Sequence, residues 1–212
     1  MAPATGTDEQ GTRKVDHRYF DFTAETPFDR YRLMANAVTP RPIAFVTTVS
    51  GAGVPNAAPF SFFGLLSHDP ATLAIGIEPR PDGRRKDTAQ NILETGEFIV
   101  HISDAALAAQ MDACGAPVEP GADELSLNGM ATVPGTSVNV PRIAEAPVAM
   151  ECKLHSTVDL GPARDIVLGT IVGFHLREDA IGADGRIDQD VIDTIGRVGA
   201  MSYATTRDRF RV

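Results

Sequence analysis

At least six strand-like runs, with only a few helical ones between them, do most to narrow the folds open to this chain. The run over 43–50 is rich in β-branched residues. Residues 56–63, 72–77 and 97–102 read the same way, and 147–159 and 166–177 form two longer runs. That many strands leave edges that must be paired or covered. A closed or nearly closed antiparallel barrel removes them, so the reading is mainly β with a few helices. Pro59 inside the second run demands an edge position or a bulge.

The helical stretches are short. Residues 28–38 carry a partly apolar face of Phe28, Tyr31, Leu33, Met34 and Val38, and prolines 40 and 42 stop them. An amphipathic helix opens near Thr88 and ends at Gly96, an Ala-rich one covers 105–113, and a fourth covers 188–195. Residues 115–142 are rich in Gly, Pro, Asp and Asn, and irregular stretches of that length are functional or mobile. Residues 1–18 are polar and aperiodic, a flexible tail, and 19–212 read as one domain without repeat or linker. The last residues, with Arg207, Arg209 and Arg211, are expected to be exposed.

A net charge of -9 makes the chain a poor general binder of nucleic acid or anionic membrane. Cys114 and Cys152 lie far apart, outside any CxxC pattern, which argues against a disulfide scaffold and a structural zinc site. There is no apolar leader and no run long enough to span a bilayer, so a reducing cytoplasm is the expected location. Nucleotide-binding signatures of the GxGxxG and GxxxxGK[ST] types are absent, as is GxSxG. His68, His101, His155 and His175 lack metal-site spacing and read as polar strand residues.

One local basic cluster stands out against the acidic background. Arg84-Arg85-Lys86-Asp87-Thr88 places three cations and a hydroxyl where a helix begins. Unpaired amides and the positive dipole end there suit a phosphate monoester. The alternative is a solvated turn tip after Pro81-Asp82-Gly83, with Asp87 and Gln90 forming a capping box.

Arg41-Pro42-Ile43-Ala44 leads into a strand ending in Thr47-Thr48-Val49-Ser50. Asn56-Ala57-Ala58-Pro59-Phe60-Ser61-Phe62-Phe63 follows, then Arg85-Lys86-Asp87-Thr88 and Gly96-Glu97-Phe98-Ile99-Val100. Residues 141–152 and Arg197-Val198-Gly199-Ala200-Met201-Ser202-Tyr203 complete an ordered set across roughly residues 28–205. This set resembles the flavin reductase-like, FMN-binding split-barrel family, which includes the flavoredoxins.

The resemblance implies an antiparallel, Greek-key-like split barrel and a homodimer with FMN near the subunit interface. It implies that Lys86, Thr88 and Arg85 hold the FMN phosphate, with Thr47 and Thr48 assisting. Side chains alternate along a strand, so only one of those two threonines can face the pocket by its side chain. Asn56, Ala58, Phe60 and Ser61 would line the isoalloxazine ring, and Arg41 and Arg197 would reach the flavin or the dimer contact. Each has a structural alternative: strand former for the threonines, turn residue for Asn56, core or interface for Phe60, Phe62 and Phe63. The activity implied is hydride transfer from NADH or NADPH to FMN, with no protein acid or base required. A monooxygenase or another redox protein would be the partner. The other readings are a flavoredoxin-like carrier, a non-catalytic flavin-binding protein and a barrel for another phosphorylated ligand. Asp165 stands where many members carry a histidine associated with nicotinamide recognition, and Ala200 where a second glycine is usual.

Overall fold

A computed structural model describes residues 15–161, 164–210 and 212. Most of the predicted tail, Pro162 and Ala163 of the 160–165 connection, and Arg211 lie outside the described residues.

Helix α1 (Pro27–Ala37) starts where the Thr26 hydroxyl accepts from the Asp29 amide at 3.1 Å. A two-residue strand, β1 (Arg41–Pro42), runs into β2 (Ala44–Val49), and a turn returns the chain as β3 (Pro55–Phe60). Strands β4 (Phe63–His68) and β5 (Ala71–Ile77) form the next hairpin. Helix α2 (Asp87–Thr95) ends at Gly96, whose φ of 72° is costly for any residue with a Cβ. Strand β6 (Glu97–Ile102) follows. The predicted irregular stretch contains part of the next set: α3 (Ala108–Ala113), α4 (Glu124–Leu127), β7 (Thr132–Pro134) and β8 (Pro141–Ile143). A long hairpin, β9 (Val148–Asp159) and β10 (Asp165–Leu176), precedes α5 (Gln189–Ile192), β11 (Ile195–Val198) and β12 (Ser202–Thr205).

Seven strands form one antiparallel sheet in the order β3-β2-β6-β9-β10-β5-β4. Chain neighbours β3 and β4 therefore stand at its two ends, joined only by Ser61 and Phe62. A flat sheet of that size would hold its ends roughly 29 Å apart. The three Cα steps from Phe60 to Phe63 span at most about 11 Å. The sheet must curl until its ends meet, and the Gly76 amide donates to the Phe62 carbonyl at 2.7 Å, which carries the β4–β5 ladder back into the link. No ladder joins β3 to β4 among the described residues, so the barrel is split there. A second sheet, β1-β11-β12, pairs Arg41 with Arg197 in register.

Alternation along β2 sends neighbouring side chains to two cores. Val46 joins Leu73, Ile75, Phe98, Val100, Met150 and Cys152 inside the barrel. Phe45 joins Ile43, Met111, Leu125 and Ile143 under the 108–143 segment. Phe98 fills the space above Gly169, where a Cβ would lie 2.3 Å from its Cζ.

Two buried polar groups tie outer segments to the sheet. The Ile143 amide donates to His101 Nε2 at 3.0 Å, so Nδ1 carries the proton and donates to the Phe45 carbonyl at 3.0 Å. Burial holds the His101 pKa down at about 4, so the ring is neutral. Glu151 accepts from the amides of Thr136 and Ser137 and pairs with His175 Nε2 at 2.5 Å. Those bonds outweigh the cost of burial and hold its carboxyl below the ordinary range.

Several sequence expectations need correcting. The run over 56–63 breaks after Phe60, and Phe63 starts a separate strand along β5. Pro59 meets its expectation by the first of the two alternatives, on an edge strand with an unbroken register to β2. The helix expected over 188–195 stops at Ile192 because Asp193 turns left-handed, with φ 45°. The helix expected from 105 begins at Ala108, since Asp104 accepts from the Leu107 amide and bridges to Thr194. The apolar face of α1 is not turned inward. Phe28 is 71% exposed and Val38 63%, and only Ala35 of that helix is buried.

Candidate functional site

Edge strand β3 presents its outer edge to two clefts that share a wall. The first, of about 410 Å³, is lined by Asn56, Ala58, Pro59 and Phe60 from β3 and by Lys86, Asp87 and Thr88 where α2 starts. Arg80, Glu124 and the 114–118 segment complete it. The second, of about 570 Å³, shares Pro59, Phe60, Glu78, Lys86 and residues 115–117, and adds Arg41, Ser61, Arg164, Arg197 and Tyr203.

The start of α2 opens onto the first cleft. Lys86 is its N-cap, and no side chain caps the first-turn amides. The capping box expected of Asp87 and Gln90 does not form. Asp87 is the first helical residue, and its carboxylate is drawn to Arg80 at 2.9 Å and to the Gly121 amide at 3.1 Å. Gln90 bonds Glu94 at 2.7 Å instead. The Lys86 ammonium lies 5.8 Å from the Phe60 ring centroid and pairs with exposed Glu78 at 3.4 Å, a weak surface contact. The Asn56 amide donates to the Thr88 hydroxyl at 3.0 Å, which leaves that hydroxyl a proton to donate. Asn56 is thus buried in strand β3 rather than serving as a turn residue.

Five of the expected residues, Asn56, Ala58, Phe60, Lys86 and Thr88, are gathered in the first cleft. Ser61, Arg41 and Arg197 line the second. Arg41 is buried and already engaged, donating to the carbonyls of Ala35, Val38 and Gly199 and to Ser61 Oγ. Arg197 stacks on Tyr203 and bonds Asp112 at 3.3 Å. The remaining three lie elsewhere. Arg85 pairs with Asp165 at 2.9 Å on a separate surface groove. The Thr47 hydroxyl donates to the Pro141 carbonyl at 2.8 Å, and Thr48 accepts from Asn91 at 3.0 Å. Both threonines are fully buried and line neither cleft.

Glu78, Arg80, Asp112, residues 115–117, Glu124, Arg164 and Tyr203 were not legible as cleft residues. For residues 115–117 and Glu124 the signal was the length of the 115–142 stretch, which supplies part of the walls. Among the described residues no cluster of acidic, histidine or cysteine side chains could hold a metal, and no helix is long and apolar enough to cross a membrane.

Residues 34–195 match the model of the flavin reductase like domain, and the chain belongs to that family. Component B of nitrilotriacetate monooxygenase from Bacillus cereus superposes with a TM-score of 0.89 at 32% identity, over 94% of this chain and 100% of that one. The 2-nitrobenzoate 2-nitroreductase NbaA of Pseudomonas fluorescens gives 0.83 at 34% identity, over 92% and 95%. The flavoredoxin of Desulfovibrio vulgaris, at 23% identity and a TM-score of 0.72 over 82% and 91%, shares the fold. The split barrel read from the sequence is the fold observed.

Proposed function

We propose that this chain is an FMN-dependent oxidoreductase that accepts hydride from NADH or NADPH at the paired clefts. The observation that carries the reading is the meeting of Lys86, Thr88 and the uncapped start of α2 with the Ala58–Phe60 wall in one cleft. These residues fit a phosphate joined to a planar ring: cation, amides and hydroxyl for the phosphate, and beside them a methyl and an aromatic face for the ring. FMN supplies two-electron chemistry that the side chains lack.

In this account Lys86 and the first amides of α2 hold the phosphate, assisted by Thr88. Asn56 fixes the Thr88 hydroxyl, and Ala58 and Phe60 border the ring. Arg41 acts indirectly, tying α1 and Gly199 to Ser61 so that the second cleft keeps its shape. The second cleft receives the electron donor. The hydride carries two electrons and one proton, so its arrival would add one unit of negative charge to the cleft. Thr47, Thr48 and Arg85 support the site from behind or beside it.

We also infer a homodimer, supported by the exposed apolar side chains of Phe28, Met34 and Val38 along α1. A monooxygenase is the partner class, since a similar chain is described as a monooxygenase component. Buried free thiols at Cys114 and Cys152 suit a reducing cytoplasm. The Arg85–Asp165 pair favours one second reading. It occupies the position where a nicotinamide-recognising histidine is usual in the family, which suits a flavoredoxin-like carrier reduced by another protein.

Anaerobic addition of NADH or NADPH to the FMN-loaded protein tests the choice. Bleaching of the flavin absorption band supports the oxidoreductase. A band that survives both donors yet bleaches with dithionite overturns it in favour of the carrier.

A further inference from the structure

The first cleft carries one carboxyl that no cation neutralises. Glu124 is 6% exposed, and its Oε2 accepts from the Ala57 amide at 3.3 Å. The other acids on this wall are paired, Asp87 with Arg80 and Glu78 with Lys86 and Arg164. Glu124 has no such partner among the described residues.

Its placement follows from the sequence of β3. Because the Ala57 amide points outward, alternation puts the amide positions of residues 55, 57 and 59 on the outer edge of the strand. Two of those are prolines and have no N–H. The single outward amide is the one Glu124 takes, which pins its carboxyl against the cleft floor.

The groups that act most directly on Glu124 are acidic or neutral. They are Asp87 in the first turn of α2, Asp123 in its own loop, and Cys114 at the end of α3, whose thiol reaches the Glu124 carbonyl at 3.8 Å. Lys86 and Arg80 share the wall, but each is bonded to another acid. Burial shifts the Glu124 carboxyl upward, and the two aspartates add to that shift.

We propose that Glu124 couples proton uptake to flavin reduction in this cleft: protonated, it favours reduced FMN, and ionised, it disfavours it. The inference rests on FMN occupying the cleft. Arrival of a hydride adds two electrons, one proton and one unit of negative charge. A second negative charge in the same poorly solvated cleft is unfavourable, so the carboxylate takes one proton from water and becomes neutral. Linkage makes the effect reciprocal: whatever reduced FMN does to the proton affinity of Glu124, the proton does to the affinity for reduced FMN.

Glu124→Gln keeps the shape and the oxygen that accepts from Ala57, and removes the titration. The test compares anaerobic dissociation constants for oxidised and reduced FMN from about pH 5 to about pH 9, with protons released or taken up followed by an indicator dye. In the wild type the preference for reduced FMN falls as pH rises. At high pH it lies about tenfold or more below that of E124Q, and the wild type takes up more protons on reduction. Equal preferences and equal uptake, in two proteins that both bind FMN, overturn the role of Glu124 alone. A wild-type preference for reduced FMN that does not fall between about pH 5 and about pH 9 overturns it even if the variant does not fold. Failure of the wild type to bind FMN overturns the cofactor reading and this inference together.

Discussion

Lys86 is where the electrostatic account can be tested with a single side chain. Its one ion pair among the described residues is a partly exposed contact with Glu78. Lys86→Ala should weaken FMN binding about tenfold and leave riboflavin binding unchanged, as read by quenching of flavin fluorescence. An equal loss for both ligands would place Lys86 away from the phosphate. His101 makes a different residue-scale prediction. Its pKa falls from 6.5 in an unstructured chain to about 4 in the fold, so the unfolded chain binds a proton that the folded one refuses. Stability is therefore full above about pH 6.5 and falls as pH drops towards about 4, by about 3 kcal/mol in all. Urea unfolding across that window measures it. His101→Gln, which cannot titrate, should lose this component of the slope.

The elements show why some of the fold was legible and some was not. Strands β2, β5, β6, β9 and β10 are long or β-branched, and their pattern follows directly from burial. Strand β4 was missed because Gly64, Ser67 and the following Asp69-Pro70 read as turn chemistry; the β5 ladder outweighs that local preference. Strands β11 and β12 are four residues each and exist through pairing with one another and with β1. At the site, the cation cluster was legible but its pairings were not. Arg85 goes to Asp165, eighty positions away in the chain, and no spacing rule reports that. Thr47 and Thr48 looked like phosphate ligands, yet the same alternation that builds the strand carries their hydroxyls to Pro141 and Asn91. Gly169 in β10 gives the element-scale prediction. A methyl group there meets the buried Phe98 ring, so Gly169→Ala should cost about 1–3 kcal/mol, measured by thermal unfolding.

Across the whole molecule, a two-residue link between the sheet's end strands forces the curl, and the curl brings β3 beside the start of α2. The cleft follows from topology, and its chemistry from the few side chains that line it. The apolar face of α1 belongs to this scale too. If it meets a second copy, sedimentation gives about twice the chain mass, and replacing Phe28 and Val38 with charged residues gives the single chain. The central claim is that this cleft holds FMN by its phosphate. Calorimetric titration of the purified protein with FMN and with riboflavin tests it most directly. The account predicts that FMN binds at least about tenfold more tightly, through a phosphate term that weakens as salt is added. Equal affinity for the two flavins, or no binding of either, would contradict it.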